Sequence, residues 1–295
     1  MVTVGIIGAG LMGTACAHRL MRAGFDVLAY DIDVTRRSTI ANLGARVGLS
    51  VADTAAHACM LVLAVFNTDQ VEAVIEGEGG VLEALRPGAA ALPVMCVSTC
   101  DPQRLAALAA RVAPRGVLFV EAPISGTSRQ VEAGDGVGLI GGDPAAIERA
   151  ASALDAICPR RFHLGAVGNG SRAKLAVNLI LGLNRAAMAE GLVLAERLGL
   201  DPVAFLEVAR GSAAYSQVMD VKGELMARRQ FHSPQSRVAQ SLKDFRLMLE
   251  QGGAAGQELP FASVYAALLE DCVRRGEAEW DNAAIIEAIR RRATR

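Results

Sequence analysis

Val4-Gly5-Ile6-Ile7-Gly8-Ala9-Gly10-Leu11-Met12-Gly13 is the stretch that decides the fold. An apolar run, Val4–Ile7, leads into G-x-G-x-x-G at Gly8, Gly10 and Gly13, and a helical pattern, Leu11–Ala23, follows. Strand, glycine turn and helix form the context in which this motif carries meaning. Gly8 permits a tight turn, Gly10 lets the backbone approach a pyrophosphate, and Gly13 lets the helix pack closely on the strand. The first helical amides, those of Leu11 and Met12 among them, then present free N–H groups and positive dipole to phosphate. The next strand, Val27–Tyr30, ends at Asp31, about 20 residues past the loop, where a ribose-binding acid belongs. Its charge would repel a 2′-phosphate, which favours NAD, while Arg36 and Arg37 leave NADP open. Asp33 is a second candidate for the ribose role.

Outward from this unit, the first half alternates short apolar runs with helical patterns. Strands are predicted at Met60–Phe66, Ala90–Met95, Val117–Val120 and Val137–Ile140, and helices at Ser50–Ala58, Pro102–Ala113 and Pro144–Ile157. Asp101 before Pro102 and Asp143 before Pro144 read as N-caps ahead of proline at the first helical position. Such alternation predicts an α/β, doubly wound, mostly parallel sheet. Past Gly165 only helical patterns remain: Ser171–Leu198, Pro202–Gly211, Ser216–Arg228, Arg237–Gln251, Pro260–Arg274 and Asp281–Arg292. The expectation is a Rossmann domain over 1–164 and an all-α domain over 165–295, joined by a long interdomain helix.

The composition fits a globular enzyme. Of 295 residues 52% are hydrophobic and 21% charged, with a formal net charge of −1. There is no basic excess to suggest nucleic acid or an anionic membrane surface. The apolar stretch Ala173–Leu200 is interrupted by Lys174, Asn178, Asn184, Arg185, Glu190, Glu196 and Arg197, too many polar groups for a membrane span. No signal peptide is read at the N-terminus. Six scattered cysteines read as buried thiols in a reducing cytoplasm. Cys96 and Cys100 lack the partners a metal site would need.

A second constellation is Gly165-Ala166-Val167-Gly168-Asn169-Gly170-Ser171-Arg172-Ala173-Lys174-Leu175-Ala176-Val177-Asn178. Lys174 and Asn178 stand i and i+4 on one helical face. An isolated lysine in such a place is ordinarily a snorkelling surface residue. A desolvated lysine of lowered pKa, however, can take a proton from an alcohol and return it to an alkoxide near neutral pH. Its ammonium also polarises a carbonyl oxygen, so no metal is required.

These stretches, in this order, resemble the β-hydroxyacid dehydrogenase family, which includes 3-hydroxyisobutyrate dehydrogenases and tartronate semialdehyde reductases. Besides the glycine loop and the lysine helix, Glu121-Ala122-Pro123-Ile124-Ser125-Gly126 is similar to the family's substrate-binding D-A-P-V-S-G. Leu242-Lys243-Asp244 resembles its K-D motif, and Val97-Ser98-Thr99 its S-T element beside the nicotinamide ribose. The resemblance implies that Lys174 is the catalytic acid/base and that Asn178 orients the substrate. It implies that Ser125 and Gly126, with Thr127 adjoining, hold the substrate carboxylate. It also implies that Thr99 and Lys243 contact the cofactor and that Asp244 positions Lys243 or closes the cleft. At the end of the fourth strand Phe66-Asn67, which the resemblance implies lies against the cofactor, replaces a Leu-Pro pair of many relatives, and Asn67 resembles the sugar-acid branch. Thr127 and Gln130 replace family glycines, and Glu121 replaces the customary aspartate.

The function so implied is NAD-dependent hydride transfer to or from a small β-hydroxyacid or its semialdehyde. An NADPH-dependent glyoxylate or succinic semialdehyde reductase is one alternative, and a non-catalytic dinucleotide-binding protein is another. A 6-phosphogluconate dehydrogenase is disfavoured because the helical half is too short. The long helix from Ser171, apolar around much of its circumference, must be buried on several sides; it predicts a homodimer or homotetramer.

Overall fold

The computed structural model describes residues 2–86, 88 and 90–292. The chain forms two compact units, Met1–Lys174 and Leu175–Arg295. They divide inside a helix, beyond the boundary expected at Gly165.

In chain order the first unit contains β1 (Thr3–Ile7), α1 (Leu11–Arg22), β2 (Asp26–Tyr30), α2 (Val34–Asn42), β3 (Arg46–Val47), α3 (Val51–His57), β4 (Met60–Leu63), α4 (Thr68–Glu76), α5 (Val81–Ala84), β5 (Leu92–Cys96), α6 (Pro102–Val112), β6 (Val117–Glu121), β7 (Ile124–Ser125), α7 (Ser128–Ala133), β8 (Val137–Gly142), α8 (Pro144–Arg149), α9 (Ala151–Ile157) and β9 (Arg160–His163). The strands order as β3-β2-β1-β4-β5-β6, all parallel. β8 then pairs antiparallel with β6 and with β7, and parallel with β9. The strand order reverses between β1 and β4, the point at which doubly wound sheets bind their ligands.

Pleating explains the two cores. Met60 and Val62 of β4 enter one apolar cluster, together with Val4 and Ile6 of β1 and Ala15, Cys16 and Leu20 of α1. Leu61 and Leu63 enter the other, with Leu105 and Leu108 of α6. Successive residues of a strand face opposite sides, so the sheet is buried on both faces, and its strands read as continuous apolar runs. The Asp-Pro caps form: Asp101 accepts from Arg104 N at 2.8 Å and Asp143 from Ala145 N at 2.9 Å.

The second unit is helical: α10 (Asn169–Arg197), which begins in the first unit, then α11 (Pro202–Arg210), α12 (Gln217–Ala227), α13 (Val238–Ala254), α14 (Pro260–Arg274) and α15 (Ile285–Arg290). By length and hydropathy α10 could cross a membrane. Here its Leu175, Met188, Ala189 and Leu192 lie in the core of the helical unit. Within this chain its burial is incomplete: Ile180 and Leu194 are 60–61% exposed, and Leu198, just past its end, is 73% exposed. A buried ion pair, Lys222 Nζ to both carboxylate oxygens of Asp281 at 2.7–2.8 Å, ties α12 to the segment before α15. Asp281 also accepts from Gln235 N and Ala283 N, so the buried charge has a full set of donors.

Candidate active site

The glycine loop has the shape its sequence demands. Gly8 has φ +97°, and a Cβ there would stand 2.6 Å from Ala64 O, so only glycine fits the turn. A Cβ at Gly13 would collide with Gly8 O, whereas one at Gly10 would meet nothing within 4 Å. Gly10 is the N-cap of α1 and offers no side-chain cap to the amides that follow, those of Leu11 and Met12 included. The helix terminus therefore opens onto free space, as a pyrophosphate requires.

Asp31 follows β2 and is 6% exposed. Its Oδ2 accepts from Ala9 N at 2.7 Å and its Oδ1 from Asp33 N at 2.9 Å. The acid is thus docked on the glycine loop, with Arg36 Nη1 3.6 Å from Oδ2. Arg37 donates to Asp31 O at 3.0 Å and lies over the Tyr30 ring. Asp33, the second ribose candidate, instead caps α2 by accepting from Thr35 N at 2.8 Å. That bond, first among the causes, holds its carboxyl below the usual value.

The loops after β4 and β5 close on each other. Ser98 Oγ donates to Val65 O at 2.6 Å, and Asp101 N to Thr68 Oγ1 at 2.9 Å. Thr99 is buried between these bonds. The fourth strand stops at Leu63, so Phe66 lies in a loop, not in a strand, and is 44% exposed. Asn67 serves as the N-cap of α4, accepting from Gln70 N at 2.9 Å.

On the substrate side, Lys174 is 7% exposed, and its Nζ donates to Ile124 O at 2.7 Å. The ammonium is thereby fixed beside Ser125 and Gly126. Thr127 has a local task in the fold besides the role the resemblance implies. Its Oγ1 accepts from Gln130 N at 3.3 Å, while its own N–H donates to Gln130 Oε1 at 2.8 Å. The pair is a capping box on α7. The two residues that replace family glycines are partners in one local structure.

Asn178, one turn beyond Lys174 on α10, donates from Nδ2 to Asp244 Oδ2 at 3.0 Å. Lys243 Nζ sits 2.8 Å from Asp244 Oδ1. Asp244 therefore positions both residues, one on each oxygen. Sequence reasoning passed over Glu121 as a side chain with work to do. It is fully buried at the end of β6. Its Oε1 accepts from Gly168 N at 2.9 Å, from Ser171 N at 3.2 Å and from Gly170 N, and its Oε2 from Ser171 Oγ at 3.0 Å. Burial pushes this carboxyl above its usual value, against the pull of the four donors. An ionisable residue inside an otherwise apolar strand, Leu118-Phe119-Val120-Glu121, is the signal that could have found it.

The cysteines divide. Five are buried, but Cys59 is exposed, which corrects the expectation for that one. Cys96 is held up by its hydrogen bond with the Cys100 thiol and by burial.

Comparison with known proteins agrees with this geometry. Residues 3–165 match the model of the NAD binding domain of 6-phosphogluconate dehydrogenase. Residues 168–289 match that of the NAD-binding region of NADP-dependent 3-hydroxyisobutyrate dehydrogenase. The chain is 30% identical over 287 residues to glyoxylate/succinic semialdehyde reductase 1 of Arabidopsis thaliana, covering 97% of this chain and 98% of that one. It is 30% identical to L-threonate dehydrogenase of Cupriavidus necator, with 96% and 95% covered. The crystal structure of 3-hydroxyisobutyrate dehydrogenase from Salmonella typhimurium superimposes with a TM-score of 0.87 at 27% identity, covering 97% of this chain and 99% of that one. With a glycine loop shaped for a dinucleotide, a lysine helix further along the sequence and both family models matched in order, the chain belongs to the β-hydroxyacid dehydrogenase family of NAD(P)-dependent oxidoreductases.

Proposed function

We propose that the chain transfers hydride between NAD and the hydroxyl or carbonyl carbon of a small β-hydroxyacid or its semialdehyde, with Lys174 as general acid/base. The observation that carries this reading is the Lys174 ammonium, buried and pinned to Ile124 O beside Ser125. When bound, the nicotinamide would supply the hydride chemistry, and the residues of the chain would orient the reactants and move the proton. Lys174 Nζ takes the hydroxyl proton on oxidation and returns it on reduction, and while protonated it polarises the substrate oxygen. Ser125 Oγ and the backbone N–H of Gly126 hold the carboxylate. The Thr127 amide is left out of this task because Gln130 already accepts from it. Asn178, anchored by Asp244, orients the substrate. Lys243, paired with the same carboxylate, reaches the cofactor with Thr99, Phe66 and Asn67. Asp31 reads the ribose hydroxyls.

The test is a screen of NAD reduction with L-threonate, glycerate and 3-hydroxyisobutyrate. Lys174→Ala should lower kcat by roughly 10²- to 10⁴-fold, the usual contribution of a general acid/base, with NAD affinity retained. Unchanged turnover would remove Lys174 from the mechanism. A second reading, NADPH-linked reduction of glyoxylate or succinic semialdehyde, draws support from the similarity to the Arabidopsis reductase and from Arg36 within 3.6 Å of Asp31. A large preference for NADPH over NADH would favour it and overturn the ribose role of Asp31.

A further inference from the structure

The first turn of α10 is fastened to one short stretch of chain at two points. At the first, Glu121 receives the N–H groups of Gly168, Gly170 and Ser171 and the hydroxyl of Ser171. At the second, three residues further along, Ile124 O receives the Lys174 ammonium. Ser171 and Lys174 are themselves three apart on the helix, so both fastenings lie on one face. The socket around Glu121 is cut closely. A Cβ at Gly170 would stand 2.8 Å from Glu121 Oε1, and one at Gly141 would stand 3.0 Å from the carboxyl carbon and 2.8 Å from Ala166 O. Unlike the first turn of α1, which opens onto free space, this first turn is filled by a side chain of its own protein. A lysine side chain has four rotatable bonds of its own, so the bond from its Nζ to Ile124 O leaves the helix phase open. The carboxyl group with four donors can.

We propose that Glu121 is a positioning residue for Lys174: its carboxyl group sets the start and phase of α10 and thereby holds the ammonium at Ile124 O beside Ser125. The inference rests on the reading of Lys174 as the proton carrier for its catalytic consequence, but not for its structural one. A displacement of about 1 Å at a reacting group costs on the order of 100-fold in rate. Glu121→Ala should therefore lower kcat by about that factor with little change in KM, and Glu121→Gln, which keeps the shape and an accepting oxygen, should restore most of it.

The chain has three lysines, Lys174, Lys222 and Lys243, so protein grown with lysine carrying ¹³C at Cε gives three resonances, and Lys174→Arg assigns the one that matters. In Glu121→Ala the Lys174 resonance should move towards that of free lysine, while the Lys222 resonance stays and reports an intact second unit, and an unchanged circular dichroism spectrum reports an intact first. In Glu121→Gln all three should stay. Glu121→Asp, one methylene short, should move the Lys174 resonance in the same direction by less, and carries the test if the alanine variant does not fold. A Lys174 resonance unmoved in a folded Glu121→Ala or Glu121→Asp protein overturns the proposal. If Lys174→Ala keeps the rate of the unaltered protein in the hydroxyacid screen, the proton-carrier reading falls, and the resonance alone judges Glu121.

Discussion

At Glu121 two effects oppose each other, burial raising the carboxyl pKa and four donors lowering it, and burial prevails. The folded chain then keeps a proton that the unfolded chain gives up near the ordinary value of 4.5. Stability from this group is accordingly present in full below that value and is lost as pH rises through the folded one. Glu121→Gln abolishes the titration. Urea unfolding across the acidic range should show the variant gaining on the unaltered protein as pH rises from 4.5, then running parallel to it. A constant difference over the whole range would show that Glu121 titrates alike in both states. Individual residues differed in legibility. The placements of Asp31 against the glycine loop and of Lys174 in the first turns of α10 could be read because each sits at a fixed offset from a glycine motif. Glu121 could not, since its donors lie 47 to 50 positions away and no local spacing announces them. Asp33 was read as a second ribose candidate and not as the cap of α2, because a cap and a ribose acid look alike at a strand end.

Among the elements, the central strands were legible because a sheet covered on both faces writes itself as unbroken apolar runs. The short edge pieces β3, β7 and β9 were not: two to four residues carry no period. The predicted strand Met60–Phe66 ran too long because Ala64 and Val65 are apolar for a different reason. Their backbone meets the Gly8 turn and the Ser98 hydroxyl. The helix α7 was hidden behind the comparison with glycines, although Thr127-Ser128-Arg129-Gln130 spells a capping box. Thr127→Ala removes the oxygen that accepts from Gln130 N. It should cost about 1 kcal/mol in denaturant unfolding, the usual value for a lost N-cap. Thr127→Ser should cost far less. Equal losses in the two variants would point to the methyl group instead of the hydroxyl.

For the molecule as a whole, the exposed Ile180 and Leu194 of α10, with Leu198 just past its end, bear on assembly. Each square ångström of such surface that a partner covers is worth roughly 25 cal/mol. We propose that this helix is covered in a homodimer or homotetramer. Light scattering at micromolar concentration should give a multiple of the 30.8 kDa chain mass, and a stable monomer would overturn the proposal.

The distribution of cations has another consequence. Arginine supplies nearly all of the positive side chains. The three lysines are either buried, as Lys174 and Lys222 are, or largely covered beside a carboxylate, as Lys243 is. An acylating reagent selective for primary amines thus finds no exposed lysine to consume it. Its slow phase counts openings of the protein, and inactivation by it would record how often the buried Lys174 comes into reach of solvent.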